Sequence, residues 1–113
     1  MKYLKFRIGE KKVAIEYKND YILEATLINK IKNVDDNSID GLINYKGKEF
    51  KVFDISSLIN EPKMKRFDGL IFISKKRCSF AIKIEGFYKE EDYLDDSEIL
   101  FNIEEIFDFN LKT

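Results

Sequence analysis

The chain has 113 residues, of which 44% are apolar and 14% aromatic, and its 20 Lys/Arg against 21 Asp/Glu leave a formal net charge of −1. This length suits one domain that buries roughly two thirds of its unfolded surface, and the apolar content excludes global disorder. The near-cancelling charges exclude a whole-molecule basic footprint for nucleic acid, and the single cysteine, Cys78, excludes an intrachain disulfide.

In chain order, Leu4, Phe6 and Ile8 alternate with Lys5 and Arg7, and after Gly9-Glu10 the pattern resumes at Val13, Ile15 and Tyr17. Two runs of period two around a glycine predict a hairpin. Residues 17–20 read as a turn, and Tyr21 to Ile28, apolar with β-branched members, as a third strand. Lys32 to Ser38 is rich in Asn and Asp, whose side chains bond their own backbone, and is expected to be a loop.

A second hairpin is predicted from Gly41–Tyr45 and Glu49–Phe53 around Lys46-Gly47, where glycine supplies a positive φ. Asp54 is placed to cap a short helix over 55–59, and Glu61 to Arg66, containing Pro62, reads as a linker. Leu70–Ile73 and the alternation Cys78, Phe80, Ile82, Ile84 predict a third hairpin. Ile99-Leu100-Phe101 is expected to be a last strand, and Asn102 with Glu105 has the form of a capping box opening a helix over 103–107. The expected class is therefore all-β, mainly β with two short helices, in a single domain over residues 1–113.

The residues offer little for catalysis. Histidine is absent, which removes the commonest general base and metal ligand near neutral pH. Cys78 falls on the apolar face with Phe80 and reads as a buried thiol, and the glycines at 9, 41, 47, 69 and 86 are too scattered for a phosphate loop. Asp35-Asp36 and Asp95-Asp96 lack the spacing of a calcium loop. Between Glu85 and Asp108 ten acids are opposed only by Lys89, a segment that would repel phosphates and anionic lipid and reads as a solvated loop followed by a solvated helix face, with a docking face for a basic partner as the alternative. No enzyme, cofactor or metal is expected, and direct membrane insertion is not expected either, since no stretch approaches about 18 apolar residues. Met1-Lys2-Tyr3-Leu4-Lys5 lacks the apolar run of a signal peptide, so a cytoplasmic location is expected.

One pattern is more specific. Ile39-Asp40-Gly41-Leu42-Ile43-Asn44-Tyr45-Lys46-Gly47, followed by a strand ending in Asp54-Ile55, resembles the central signature of CheW-like chemotaxis domains. Asp68 to Ser74 with Arg77 to Phe87 is similar to the family's later hairpin, and Ile99 to Phe107 to its closing strand and helix. The resemblance implies a pair of intertwined small SH3-like barrels, the first lobe over about 14–60 and the second over about 67–107 plus the N-terminal strand. Typical members insert about one further strand pair where this chain has only Tyr88 to Ile99, so the second barrel is expected to be reduced.

The resemblance also implies a non-catalytic adaptor that couples methyl-accepting chemoreceptors to the histidine kinase CheA. Receptor-binding candidates are Lys46, which stands where the family has Arg, together with Ile22 and Glu24 on the third strand; kinase-binding candidates are Tyr45, Lys48 and Asn44. The missing strands are expected to leave an open sheet edge, which either the acids from Glu90 to Glu98 shield, favouring a monomer, or Ile99-Leu100-Phe101 with Phe107 and Phe109 cover by pairing in a weak homodimer, the reading favoured here. The alternative is an unrelated small β-barrel that binds single-stranded nucleic acid or a ligand, its aromatic side chains forming a stacking platform.

Overall fold

A computed structural model of the protein describes residues 2–17, 21–27, 41–64, 67–75, 78–85 and 88–111. The loop expected over 32–38 lies outside them, as do the side chains of Cys78, Phe107 and Phe109. The class is all-β: among the described residues nine strands form two sheets, with one α-helix and one short 3-10 turn. The strands are β1 (Lys2–Ile8), β2 (Lys11–Tyr17), β3 (Ile22–Leu27), β4 (Leu42–Tyr45), β5 (Lys48–Phe53), β6 (Gly69–Lys75), β7 (Cys78–Ile84), β8 (Tyr88–Glu91) and β9 (Ile99–Asn102). The 3-10 turn spans Ser56–Ile59, and α1 spans Ile103–Leu111.

One sheet has four strands in the order β8-β1-β2-β9, the other five in the order β3-β6-β7-β5-β4. The hairpin β6–β7 joins β3 and β5 instead of the strands that follow it, and the whole N-terminal hairpin pairs with the C-terminal β8 and β9. The chain thus begins in the smaller sheet, builds the larger one and returns.

Local rules account for the turns. Ile8 pairs with Lys11 across the two-residue loop Gly9-Glu10, and Gly9 has φ +61°. Tyr45 pairs with Lys48 across Lys46-Gly47, where both turn residues have positive φ, 51° and 76°. Two positive φ angles match the right-handed twist of the flanking strands, but here a lysine occupies the first of them at a steric cost.

β6 is buried at every position from Gly69 to Ser74, as expected of a strand covered on both faces, which reads as a continuous apolar run. Leu70, Ile71, Ile73, Ile82 and Ile84 have no exposed surface, and each such side chain contributes about 1.5–3 kcal/mol by leaving water. Gly69 sits where a Cβ would lie 2.8 Å from the Thr26 carbonyl oxygen, so β3 can approach only a glycine here.

The smaller sheet turns Leu4, Phe6, Ile8, Val13 and Ile15 into the core. α1 lies over β2 and β9, burying Ile103 and Ile106, and Asn102 caps it by accepting the Glu105 N–H at 2.9 Å. The helix extends to Leu111, four residues past its expected end. Asp54 acts one residue earlier than expected: Ile55 holds the cap position, while Asp54 Oδ1 accepts from Ser56 N at 2.9 Å and Oδ2 from Met64 N at 2.9 Å. One carboxylate therefore folds the 3-10 turn and ties down the linker behind it.

Candidate functional site

The candidate site is the β4–β5 turn and the facing edge of β3. In strand order these lie at opposite edges of the five-stranded sheet, yet side chains join them, which means the sheet curls towards closure. Register places Ile43, Tyr45, Phe50, Val52, Ala81, Phe72 and Glu24 on one face. Within it the rings of Tyr45 and Phe72 stack at 4.0 Å with an interplanar angle of 1°, and Phe50 meets Phe72 edge-on at 4.8 Å.

Glu24 completes the closure. Its Oε1 accepts from the Tyr45 hydroxyl at 3.0 Å and from the Lys46 ammonium at 2.6 Å. The Lys46 hydrogen bond, with help from Tyr45, holds the Glu24 carboxyl below the usual range even though partial burial opposes it. The same carboxylate raises Lys46, and burial followed by the Glu24 hydrogen bond raises Tyr45. Lys46 remains exposed while anchored, so its charge is presented at a fixed point.

The six site residues expected from the sequence therefore separate. Glu24, Tyr45 and Lys46 converge on one oxygen. Ile22 stands one residue pair along β3 on the same face as Glu24 and is 70% exposed. Asn44 is exposed on the opposite face of β4 from Tyr45, and Lys48 is exposed across the turn. Tyr45 is half-buried against the core, so its ring packs in the interior and its hydroxyl orients Glu24. Leu42, 58% exposed at the outer edge of β4, was missed: its strand partner Lys51 marks it as outward only once the register is known.

The acidic run also departs from expectation. Part of it is strand β8, and two of its acids turn inward on Lys5, which is 2% exposed. Lys5 Nζ lies 2.9 Å from Glu98 and 3.5 Å from Glu91, with the Tyr93 ring centroid at 4.1 Å. Glu98 also accepts from Asp95 N at 2.8 Å, closing the strap 92–98 over the smaller sheet. Desolvation works against the Lys5 charge, but Glu98 and Glu91 outweigh it and raise the pKa. In the sequence Lys5 looks like any outward lysine of a strand; only the later acids hint that it is covered.

Of the apolar run at β9, Ile99 and Phe101 pack against the core and Leu100 alone faces out, 40% exposed. Phe6, Phe50, Phe67, Phe72 and Phe80 are buried, so these rings pack inside and form no stacking platform. Among the described residues no group of three or more Cys, Asp or Glu is placed to hold a metal, and no helix is long and apolar enough to cross a membrane. Compared with protein-family models and with curated proteins, the sequence matches none.

Proposed function

We propose that the chain is a non-catalytic adaptor of the CheW type, a reduced member that couples chemoreceptors to the histidine kinase CheA. The observation that carries this reading is the convergence of Glu24, Tyr45 and Lys46. These residues belong to two segments that resemble the family's recognition elements, and they meet at the closure of a five-stranded sheet. In the proposal the anchored Lys46 charge and the neighbouring exposed Ile22 contact the receptor. Exposed Asn44 and Leu42, on the outer face of β4, contact the kinase, and Lys48 reaches it from the turn on the Tyr45 face. An anchored charge with apolar neighbours suits protein recognition, in which apolar area supplies affinity and placed charges supply register and specificity.

In this proposal the four-stranded sheet takes the place of the family's second barrel, and the chain couples receptors without extending a lattice. Calorimetric titration with a receptor signalling tip tests the reading. Lys46→Gln removes the charge without setting a like charge beside Glu24 and is expected to weaken binding at least tenfold while costing the fold no more than about 1 kcal/mol, the range of an exposed ion pair; Lys46→Glu should weaken binding further. Unchanged binding by either variant would overturn it.

A further inference from the structure

The outer face of the smaller sheet carries an unusual placement of like charges. Register sets Arg7 opposite Lys12 across β1–β2 and Lys5 opposite Lys89 across β1–β8, all on one face. Like charges directly opposite each other on a sheet repel. The second pair is relieved, because Glu98 and Glu91 engage Lys5 and Glu91 lies 2.8 Å from Lys89 Nζ. The first is not: among the described residues Arg7 and Lys12 have no acidic partner.

Both line a cleft of about 290 Å³ between the sheet and the strap, together with Lys5, Lys89, Asp95 and Glu98. The strap's Asp95 and Glu98 line the cleft beside Lys5, whose charge Glu98 engages. Arg7 and Lys12, at the other end, are thus the cleft's two cations without an acidic partner among the described residues. Buried Lys5 forms its floor, and the Arg7 carbonyl accepts a hydrogen bond from Glu85 N at 2.9 Å.

We infer that this cleft is a binding site for a small oxyanion, in which Arg7 and Lys12 bracket a carboxylate or phosphoryl group over the buried Lys5. The Arg7 guanidinium supplies a planar fork matched to two oxygens, and Lys12 a point charge from the adjoining strand. Lys5 is a positioning residue: tied to Glu98, it fixes the strap that forms the far wall. The site lies on the opposite sheet from the Glu24–Lys46 cluster, so it stands or falls independently of the adaptor reading.

The test is a titration of the full chain with inorganic phosphate and, separately, acetate, followed by two-dimensional NMR at constant ionic strength set with chloride. The inference predicts saturable shifts centred on the amides of Arg7, Lys12 and the 95–98 strap. Arg7→Lys and Lys12→Ala should each weaken binding at least threefold, while Lys51→Ala on the other sheet leaves it unchanged. Saturation by phosphate alone assigns the phosphoryl group, and saturation by both assigns any oxyanion. Shifts that stay linear, that chloride reproduces, or that survive the Arg7→Ala/Lys12→Ala double substitution overturn the site.

Discussion

Closure of the larger sheet through Tyr45 has a magnitude that can be separated into parts. Tyr45→Phe keeps the 4.0 Å stack on Phe72 and removes only the 3.0 Å hydrogen bond to Glu24, a loss of about 1 kcal/mol for a solvent-competed bond. Tyr45→Ala removes the ring as well. Full burial would put that cost at about 3–5 kcal/mol, and because Tyr45 is half-buried the low end, about 3 kcal/mol, is expected. For a domain of this length 1 kcal/mol moves Tm by about 4 °C, so the Phe variant should melt about 4 °C lower and the Ala variant more than 10 °C lower. Urea titrations with an unchanged slope would show that the denatured state is unaltered. If Phe and Ala cost the same, or if Ala costs under about 1 kcal/mol, the stack does not hold the turn and the site geometry argued above is wrong.

Gly69→Ala drives a Cβ to 2.8 Å from the Thr26 carbonyl oxygen, so overpacking should cost about 1–3 kcal/mol in a chemical denaturation series. Lys5→Met should destabilise the fold by orphaning Glu98, and adding Glu98→Gln should recover part of the loss; a double-mutant cycle with no coupling would contradict the ion pair. Stability should fall at both pH extremes. The Glu91 carboxyl, held by Lys89 and Tyr93 at a pKa of about 2, stabilises the fold above its ordinary value of 4.5, and that contribution is lost as pH falls from about 5 to 2. Tyr17, pushed up to about 12 by burial and by its hydrogen bond to Glu90, stabilises the fold below its ordinary value of 10, and that contribution is lost as pH rises from 10 to 12. Urea midpoints measured across pH 2–12 check both limbs, and Glu91→Gln should flatten the acid one.

The strands were legible because their signals are local. Alternation in Leu4–Ile8 and Val13–Tyr17 and the glycine turns at 9 and 47 name their own partners. The Asn102 cap was legible for the same reason. What alternation does not carry is which hairpin joins which sheet: β6 is buried on both faces and so shows no side, and the β2–β9 pairing is parallel and long-range. Ile22 and Glu24 could be named from the sequence, but their exposures of 70% and half-burial depend on how far the sheet curls. The acids of 90–98 misled for a related reason. A carboxylate in a loop is solvated by default, and Glu91 and Glu98 turn inward only because Lys5, more than eighty residues earlier, waits under the strap.

The most direct measurement of the adaptor claim is co-sedimentation of CheA with chemoreceptor-bearing vesicles, with and without the purified chain. The account predicts that CheA pellets in proportion to added chain, that the chain pellets with it, and that Lys46→Glu abolishes both. CheA that pellets equally without the chain, or a chain that stays in the supernatant, would contradict it.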